Sequence, residues 1–331
     1  MKSNLIKRVL LTAATMTTLG TVAPSIATPV AAPKTPTKTA LADSYEQKRS
    51  SFLDVYKDLN LDFEGDFPAI YWDHGNIAAP GGVKLNPNQT IKVQKITSIN
   101  GALIPVVSYK TKDKQNMSQM AEGILPSAYK GQFKIELVSL KVGTLNKSNI
   151  PAYGDTSFTN TVYYVPSAQR TQYHDDAIKE HLKIAEDLFG VSRFYSLPLA
   201  RQVAIVDMIY PLKNKFKDSK FGKAVLAKDW NGPNADEPTL TNKQVAIREA
   251  WASKAEQNKR RHLARKLLLE WGDESLSRKD LPKIYKEVAQ TLPAGEHQLA
   301  QYVEDVLEAN VKENEQHILV HVAQKSVMKG K

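Results

Sequence analysis

The 331-residue sequence contains no cysteine. This absence excludes disulfide bonds and a lipid-anchoring cysteine, so the stability of the folded chain must come from packing alone. Hydrophobic residues make up 42% of the sequence and charged residues 24%, which is enough for one large or two modest domains with hydrophobic cores.

Long hydrophobic runs are also scarce. Residues 1–27 combine a basic start, an apolar run from Val9 to Val22 diluted by threonines, and small residues that end at Ala27. This pattern is typical of a secretory signal peptide. No later stretch approaches the roughly 20 apolar residues of a membrane span, so we expect export to the periplasm or the medium and no membrane span. Residues 28–44, rich in proline, threonine and lysine, are expected to form a disordered linker.

Acidic residues are outnumbered by basic ones, 35 against 45, which gives a formal net charge of +10. Such a balance favours an anionic partner. The sequence has no helix-turn-helix, zinc-knuckle or aromatic-basic strand pattern, and export also argues against a nucleic-acid function. For an exported protein we therefore expect the partners to be peptidoglycan and other anionic wall polymers.

The stretch from residue 61 to residue 76 places two carboxylates on either side of a change in local structure. Apolar residues recur at helical spacing before Glu64, which predicts a helix that ends there with Gly65 as its stop. A short strand up to Trp72 and a tight turn from Asp73 to Asn76 should follow. Such an arrangement brings both acids to the mouth of a cleft.

The surroundings of the two acids suggest different roles. Phe63 and Phe67 flank Glu64, and apolar neighbours favour the protonated carboxyl, whereas the polar turn at Asp73 favours the carboxylate. A general acid beside an ionised base is what glycoside hydrolysis requires. The alternative is that Glu64 only ends a helix and Asp73 only forms a turn.

The run Glu64-Gly65, Ala69-Ile70-Tyr71, Asp73 and Gly75 resembles the catalytic signature of the phage-type lysozymes, glycoside hydrolase family 24. The resemblance implies that Glu64 protonates the glycosidic oxygen and that Asp73 positions and deprotonates the attacking water. Tyr71, which belongs to the same run, is expected to bind substrate. The family also uses a threonine six residues after the aspartate to hold that water. This sequence has Ala79 there, so the third assignment does not carry over.

Residues 84–174 are predicted to form a β-rich insertion, much longer than the corresponding part of a compact phage lysozyme. The β-branched and aromatic runs that indicate strands occupy 91–93, 103–109, 133–138 and 161–165. The insertion is expected to enlarge the small lobe structurally, or else to form a cleft wall or binding surface. Asp155 and Thr156, with Thr159 and Thr161 close by, are the candidates to bring the missing hydroxyl to the water site.

Residues 175–272 are predicted to be helical. Pro198 opens a helix that is apolar almost all round through residue 209, as expected of a central buried helix, and its pattern resembles the core helix of the family's large lobe. In the last helix of this part, Arg260, Arg261 and Arg265 recur at spacings that place them on one face. That face is expected either to bind anionic substrate or to be a solvated basic surface.

Residues 273–331 are predicted to add two helical stretches, 279–291 and 296–325. The apolar stripe of the second should pack on the preceding helices or dock a protein partner. His317 and His321 have a spacing that also occurs in metal sites, but they lack further ligands nearby in sequence, so neither a metal nor a cofactor is predicted.

We therefore expect an α+β, lysozyme-like fold: a small lobe with the catalytic helix and hairpin (45–83), the insertion, a helical large lobe and a helical extension. The implied activity is that of a secreted muramidase, which cleaves the β-1,4 bond between N-acetylmuramic acid and N-acetylglucosamine. Two alternatives stay open: a catalytically impaired wall-binding or interaction protein, and a secreted lysozyme-fold toxin or effector.

Overall fold

The computed structural model describes residues 38–108, 110–251, 259–273, 276–292, 299–313 and 315. The predicted signal peptide and residues 28–37 of the predicted linker lie outside them. The chain divides into two compact units, Met1–Leu41 and Ala42–Lys331. The first helix, α1 (Lys38–Glu64), already includes residues 38–44. These residues belong to the predicted linker, and Ala40-Leu41-Ala42 are strong helix formers.

The fold is α+β, and its strands lie in the first half of the chain. After α1 come β1 (Tyr71–Asp73), β2 (Asn76–Ala79), a 3-10 turn (Pro80–Gly82), β3 (Val83–Lys84), β4 (Thr90–Ser98), β5 (Ile104–Pro105), α2 (Thr111–Ala121), β6 (Phe133–Lys141), β7 (Ser157–Phe158) and β8 (Thr161–Tyr164). They form antiparallel sheets in the orders β1-β2-β3, β6-β4-β8 and β5-β7.

Three of the four predicted strand runs in the insertion are confirmed as β4, β6 and β8. Of the run at 103–109, residues 104–105 form β5, whereas residues 103 and 106–108 are not in a strand. Helix α2 was not predicted; it buries Met117, Met120 and Ala121, at helical spacing, against the β-rich part.

The insertion is not separate from the segment that carries the candidate acids. The backbone amide of Ile70 donates to Tyr163 at 2.9 Å, and that of Val165 donates to Pro68 at 2.8 Å, so residues 68–70 run alongside β8. The sheet that contains β8 therefore supports the start of β1.

The second half of the chain is helical. Its elements are α3 (Ser167–Phe189), α4 (Val191–Phe194), α5 (Leu199–Leu212), a 3-10 helix (Lys213–Asp218), α6 (Lys220–Leu226), α7 (Asn242–Trp251), α8 (Lys259–Trp271), α9 (Leu281–Thr291) and α10 (299–313). The prediction of a central buried helix is confirmed, because α5 is buried at residues 199–200 and 202–209. Helix α3 begins earlier than the predicted residue 175, directly after Pro166, where Glu122 accepts a hydrogen bond from the Ser167 amide at 2.6 Å.

The C-terminal helix α10 packs on the helical core. The buried residues that join it to this core are Leu299, Ala300, Val303, Val306, Leu307 and Val311. Asn310 is also buried: its Oδ1 accepts a hydrogen bond from the Leu199 amide at 2.7 Å, and its Nδ2 donates to the Gly272 carbonyl at 3.3 Å. A side chain from the extension thus satisfies a free amide at the start of α5.

Replacing Asn310 with alanine should lower the free energy of unfolding by about 1–2 kcal/mol, because it leaves a buried helix-terminal amide without its acceptor. Urea unfolding followed by circular dichroism measures this loss. Asn88→Ala, at an exposed turn, is the control and should change stability little. Equal unfolding midpoints for the two variants would contradict the capping role.

Candidate functional site

Glu64 is the last residue of α1, as predicted. The amide of Gly65 closes the last helical turn on the Leu61 carbonyl at 2.8 Å, and Gly65 itself has a φ of 75°, which ends the helix. A Cβ at this position would also collide with the ring of Phe67. The side chain of Glu64 lies outside the described residues.

Asp73 ends β1, directly before a two-residue hairpin turn. His74 and Gly75 have φ values of 41° and 89°, and Asp73 pairs with Asn76 across the turn. Positive φ at both central residues is the geometry that fits the twist of a two-residue hairpin, so the predicted turn is confirmed. The Asp73 side chain is 37% exposed, and His74 Nε2 lies 3.8 Å from its Oδ1. The carboxylate is thus open to solvent at the tip of the hairpin.

Tyr71 lies two residues before Asp73 on β1. Its ring packs against that of Tyr153, with ring centroids 5.9 Å apart and planes inclined at 46°. Tyr153 belongs to the insertion and is 60% exposed. The contact between Tyr71 and Tyr153 was not predicted from the sequence. The only local feature of Tyr153 is that it is an aromatic residue in a turn between Pro151 and Gly154.

Two of the three α8 arginines are buried rather than exposed. Arg261 donates to Asp207 of α5 through Nε at 3.0 Å and through Nη2 at 2.7 Å, and Arg265 donates to the same carboxylate through Nε. Arg261 is 9% exposed and Arg265 is 2% exposed. The expectation that these arginines share a surface face is wrong, because a buried carboxylate requires buried counter-charges. Arg260 is half-buried on the first turn of α8; contact of Arg260 or Arg261 with substrate stays a prediction.

The Asp207–Arg261 pair lies close to the end of α1. The guanidinium of Arg261 sits 5.4 Å from the centroid of the Phe63 ring and 5.1 Å from that of Tyr210. Although burial by itself raises the pKa of Asp207, Arg261 and Arg265 outweigh burial and lower this pKa to about 2. Asp207 therefore stays ionised, and its ion pairs hold α5 and α8 together beside the residue that precedes Glu64.

A chain of buried hydrogen bonds extends from Asp207 along α1. Tyr56 donates its hydroxyl to Asp207 Oδ1 at 3.0 Å, Asn60 Nδ2 donates to the Tyr56 hydroxyl at 3.1 Å, and Asn60 Oδ1 lies 2.8 Å from His174 Nε2. Tyr56 and Asn60 are one helical turn apart, and residue 64 is one turn further on. The network therefore fixes the rotation of the helix that ends at Glu64.

A pocket lies beside Gly65. It is lined by Lys57, Leu61, Gly65, Asp66, Pro80, Gly81, Arg170, Thr171 and His174. Arg170 donates to Asp66 through Nε at 2.9 Å, and Lys57 lies 2.7 Å from Asp175. Both cations of the pocket thus have a carboxylate partner, and the Arg170–Asp66 pair fixes the segment that follows Glu64.

The position at which the family has a threonine is fully buried. Ala79 is 0% exposed and packs in an apolar cluster with Ile70, Ile77 and Val93. Of the candidate donors of a replacement hydroxyl, Thr161 is in β8 opposite Thr97, whereas Thr156 directly follows the loop 151–155 that reaches β1. Thr156 is therefore close in sequence to Ala152, which pairs with Trp72 of β1.

The hairpin and α5 are also in contact. Tyr210 of α5 donates its hydroxyl to the Gly81 carbonyl, in the turn after β2. The ring of His181 of α3 packs against the Tyr210 ring, with centroids 4.5 Å apart. Burial is the main cause that lowers the pKa of His181, with smaller contributions in the same direction from Lys213 and Arg261. Glu180 and the backbone of Ala177 oppose them, and the resulting pKa is about 4.

This shift makes folding stability dependent on pH. Because the folded-state pKa of His181 lies below its ordinary value, the unfolded chain binds a proton at this residue more readily than the folded protein below about pH 6.5. The free energy of unfolding therefore falls as the pH drops toward 4, by up to roughly 3 kcal/mol. We expect His181→Phe to reduce the loss of stability between pH 7 and pH 4.5, as measured by urea unfolding at both values. His74→Phe changes a 93% exposed ring and is the control. Parallel pH profiles for wild type and His181→Phe would refute the assignment.

Neither a metal cluster nor a membrane-spanning helix is found in the described part of the chain. Its histidine, aspartate and glutamate side chains form no group of three or more suited to a metal ion. None of its helices combines the length and the apolar character that crossing a bilayer requires. His317 and His321 lie outside the described residues.

Comparison with protein-family models, with curated proteins and with solved structures finds no match to this chain.

Proposed function

We propose that this protein is a secreted muramidase, which hydrolyses the β-1,4 bond between N-acetylmuramic acid and N-acetylglucosamine in peptidoglycan. One observation carries the proposal: α1 ends at Glu64, and the hairpin that follows presents Asp73 directly before its two-residue turn. The strands follow the first helix, and a helical part surrounds the buried α5. This order is consistent with a lysozyme-like arrangement.

In this proposal Glu64 is the general acid and Asp73 the general base. Glu64 protonates the glycosidic oxygen as the bond to the anomeric carbon breaks, and Asp73 removes a proton from the water that attacks the opposite face of the sugar. This inverting route needs a carboxyl separation of about 6.5–9.5 Å, which leaves room for the water. The exposure of Asp73 at a polar turn suits a base that must meet water.

Digestion of purified peptidoglycan by the purified protein, with mass analysis of the fragments, tests the proposal. We expect muropeptides with a reducing N-acetylmuramic acid end, released initially as the anomer of inverted configuration. Reducing N-acetylglucosamine ends, or anhydro sugars, would instead indicate a different bond or a different reaction and would refute the proposal.

The burial of Ala79 favours a second candidate, a wall-binding protein without hydrolytic activity. A residue with no exposed surface and no hydroxyl cannot hold the water that the family threonine holds. Loss of one water-positioning group typically costs on the order of 10²-fold rather than all activity, so we rank hydrolysis first. Peptidoglycan binding without any fragment release, by wild type and by Glu64→Gln alike, would establish the second candidate.

A further inference from the structure

The insertion forms part of the same surface as the candidate hairpin. The amide of Trp72 donates to the Pro151 carbonyl at 2.7 Å, and the amide of Tyr153 donates to the Trp72 carbonyl at 2.8 Å. Ala152 pairs with Trp72 in a parallel bridge. The loop 151–155 thus lies alongside β1 as an additional extended segment, on the edge that β2 does not occupy.

A side chain also holds this loop in shape. The carboxylate of Asp155 accepts a hydrogen bond from the Ala152 amide at 2.7 Å, which closes the turn that contains Tyr153. The position of the Tyr153 ring is therefore set by backbone bonds on one side and by a closed turn on the other. A ring held in this way loses little conformational entropy when it binds a ligand.

The Tyr153 ring extends the face of β1 that carries Asp73. Side chains alternate along a strand, so Tyr71 and Asp73 belong to one face and are separated by about 7 Å along it. Tyr153 packs against Tyr71 on this face and remains 60% exposed. Single exposed apolar residues are common on protein surfaces. This ring, however, packs at a tilt against Tyr71, which lies two residues before the proposed catalytic base.

Exposed aromatic rings suit sugars for a simple physical reason. A pyranose presents hydroxyl groups around its edge and C–H groups on its faces, and a C–H face packed on a flat ring removes apolar area from water on both partners. The tyrosine hydroxyl adds a polar group at the rim of the ring.

We propose that Tyr153, together with Tyr71, forms a subsite that stacks on an N-acetylhexosamine unit of the glycan strand beside Asp73. The insertion then serves as part of the substrate-binding surface and not only as a structural enlargement. The identity of the sugar rests on the proposed function, whereas the position of the subsite rests on the contacts of the loop 151–155.

The test measures glycan binding without cleavage. Titration calorimetry of the full-length Glu64→Gln protein with a hexamer of N-acetylglucosamine gives the reference affinity. Adding Tyr153→Ala should weaken binding about tenfold, since stacking on one ring is lost. Adding Tyr153→Trp should restore the affinity. The matched control is Leu137→Ala on β6, which removes a side chain of similar exposure, 63%, from another sheet and should leave binding unchanged.

Melting temperatures of all variants show whether an effect reflects misfolding, and rescue by Tyr153→Trp separates stacking from a purely structural role. Equal affinity with and without Tyr153, or an equal loss in Leu137→Ala, would overturn the subsite. Cleavage of peptidoglycan by the wild type together with Tyr153-independent binding would retain the muramidase and reject the subsite. Tyr153-dependent binding without any cleavage would retain the subsite and reject the hydrolase.

Discussion

Glu64→Gln should remove peptidoglycan hydrolysis and leave the fold intact. An amide has nearly the shape of the carboxyl that it replaces, but it has no acidic proton to give to the glycosidic oxygen as that bond breaks. General acid catalysis contributes about 10²–10⁴-fold to a rate, so release of reducing ends should fall by at least this factor. Product release measured over time, with circular dichroism and thermal unfolding of the same preparations, shows whether activity is lost without loss of structure.

Two companion variants make this result specific. Asp73→Asn removes the proposed base and should also abolish turnover, whereas Asp187→Asn removes a carboxylate that is 65% exposed on α3 and should leave turnover unchanged. Full activity in Glu64→Gln would exclude Glu64 as the acid. Full activity in Asp73→Asn, with Glu64→Gln inactive, would exclude only the role of Asp73.

The local features of the candidate site follow from the sequence because their signals are local. The helix end at Glu64 is set by a glycine with positive φ, and the turn after Asp73 by a second such glycine, Gly75. The long strands β4 and β6 show the expected β-branched and aromatic residues. Patterns of this kind depend on neighbours within a few residues, which a sequence displays directly.

The contacts that complete the site join residues far apart in the chain. Arg261 meets Asp207, 54 residues away, and the spacing of the arginines on α8 is equally typical of an exposed basic face. A signal was nevertheless present in α5, because a lone aspartate among apolar residues needs a counter-charge once the helix is buried. Tyr153 next to Tyr71 has no comparable signal, since nothing in either segment specifies that the loop 151–155 lies along β1.

Loss of the Asp207 carboxylate should destabilise the fold more than any other single change considered for this protein. In Asp207→Ala the guanidinium groups of Arg261 and Arg265, whose side chains are 10% and 3% exposed, lose the carboxylate that compensates their burial. Removing one partner of a buried ion pair typically costs about 3–5 kcal/mol, chiefly because the remaining charge stays buried. Urea unfolding should show this loss, whereas Asp187→Ala, from an exposed pair on α3, should change stability little.

The ion pairs of Asp207 also predict how the stability of a double variant should change, in a way that a cavity alone would not produce. If the unpaired cations cause the loss, then adding Arg265→Met to Asp207→Ala should recover part of the stability, because it removes one buried charge and keeps most of the volume. A cavity alone would give additive losses in the double variant. Additive losses, or a loss below about 1 kcal/mol in Asp207→Ala, would show that the ion pairs do not hold α5 and α8 together. The orientation of the last turn of α1 would then depend on the packing of Phe63 rather than on the charges beside it.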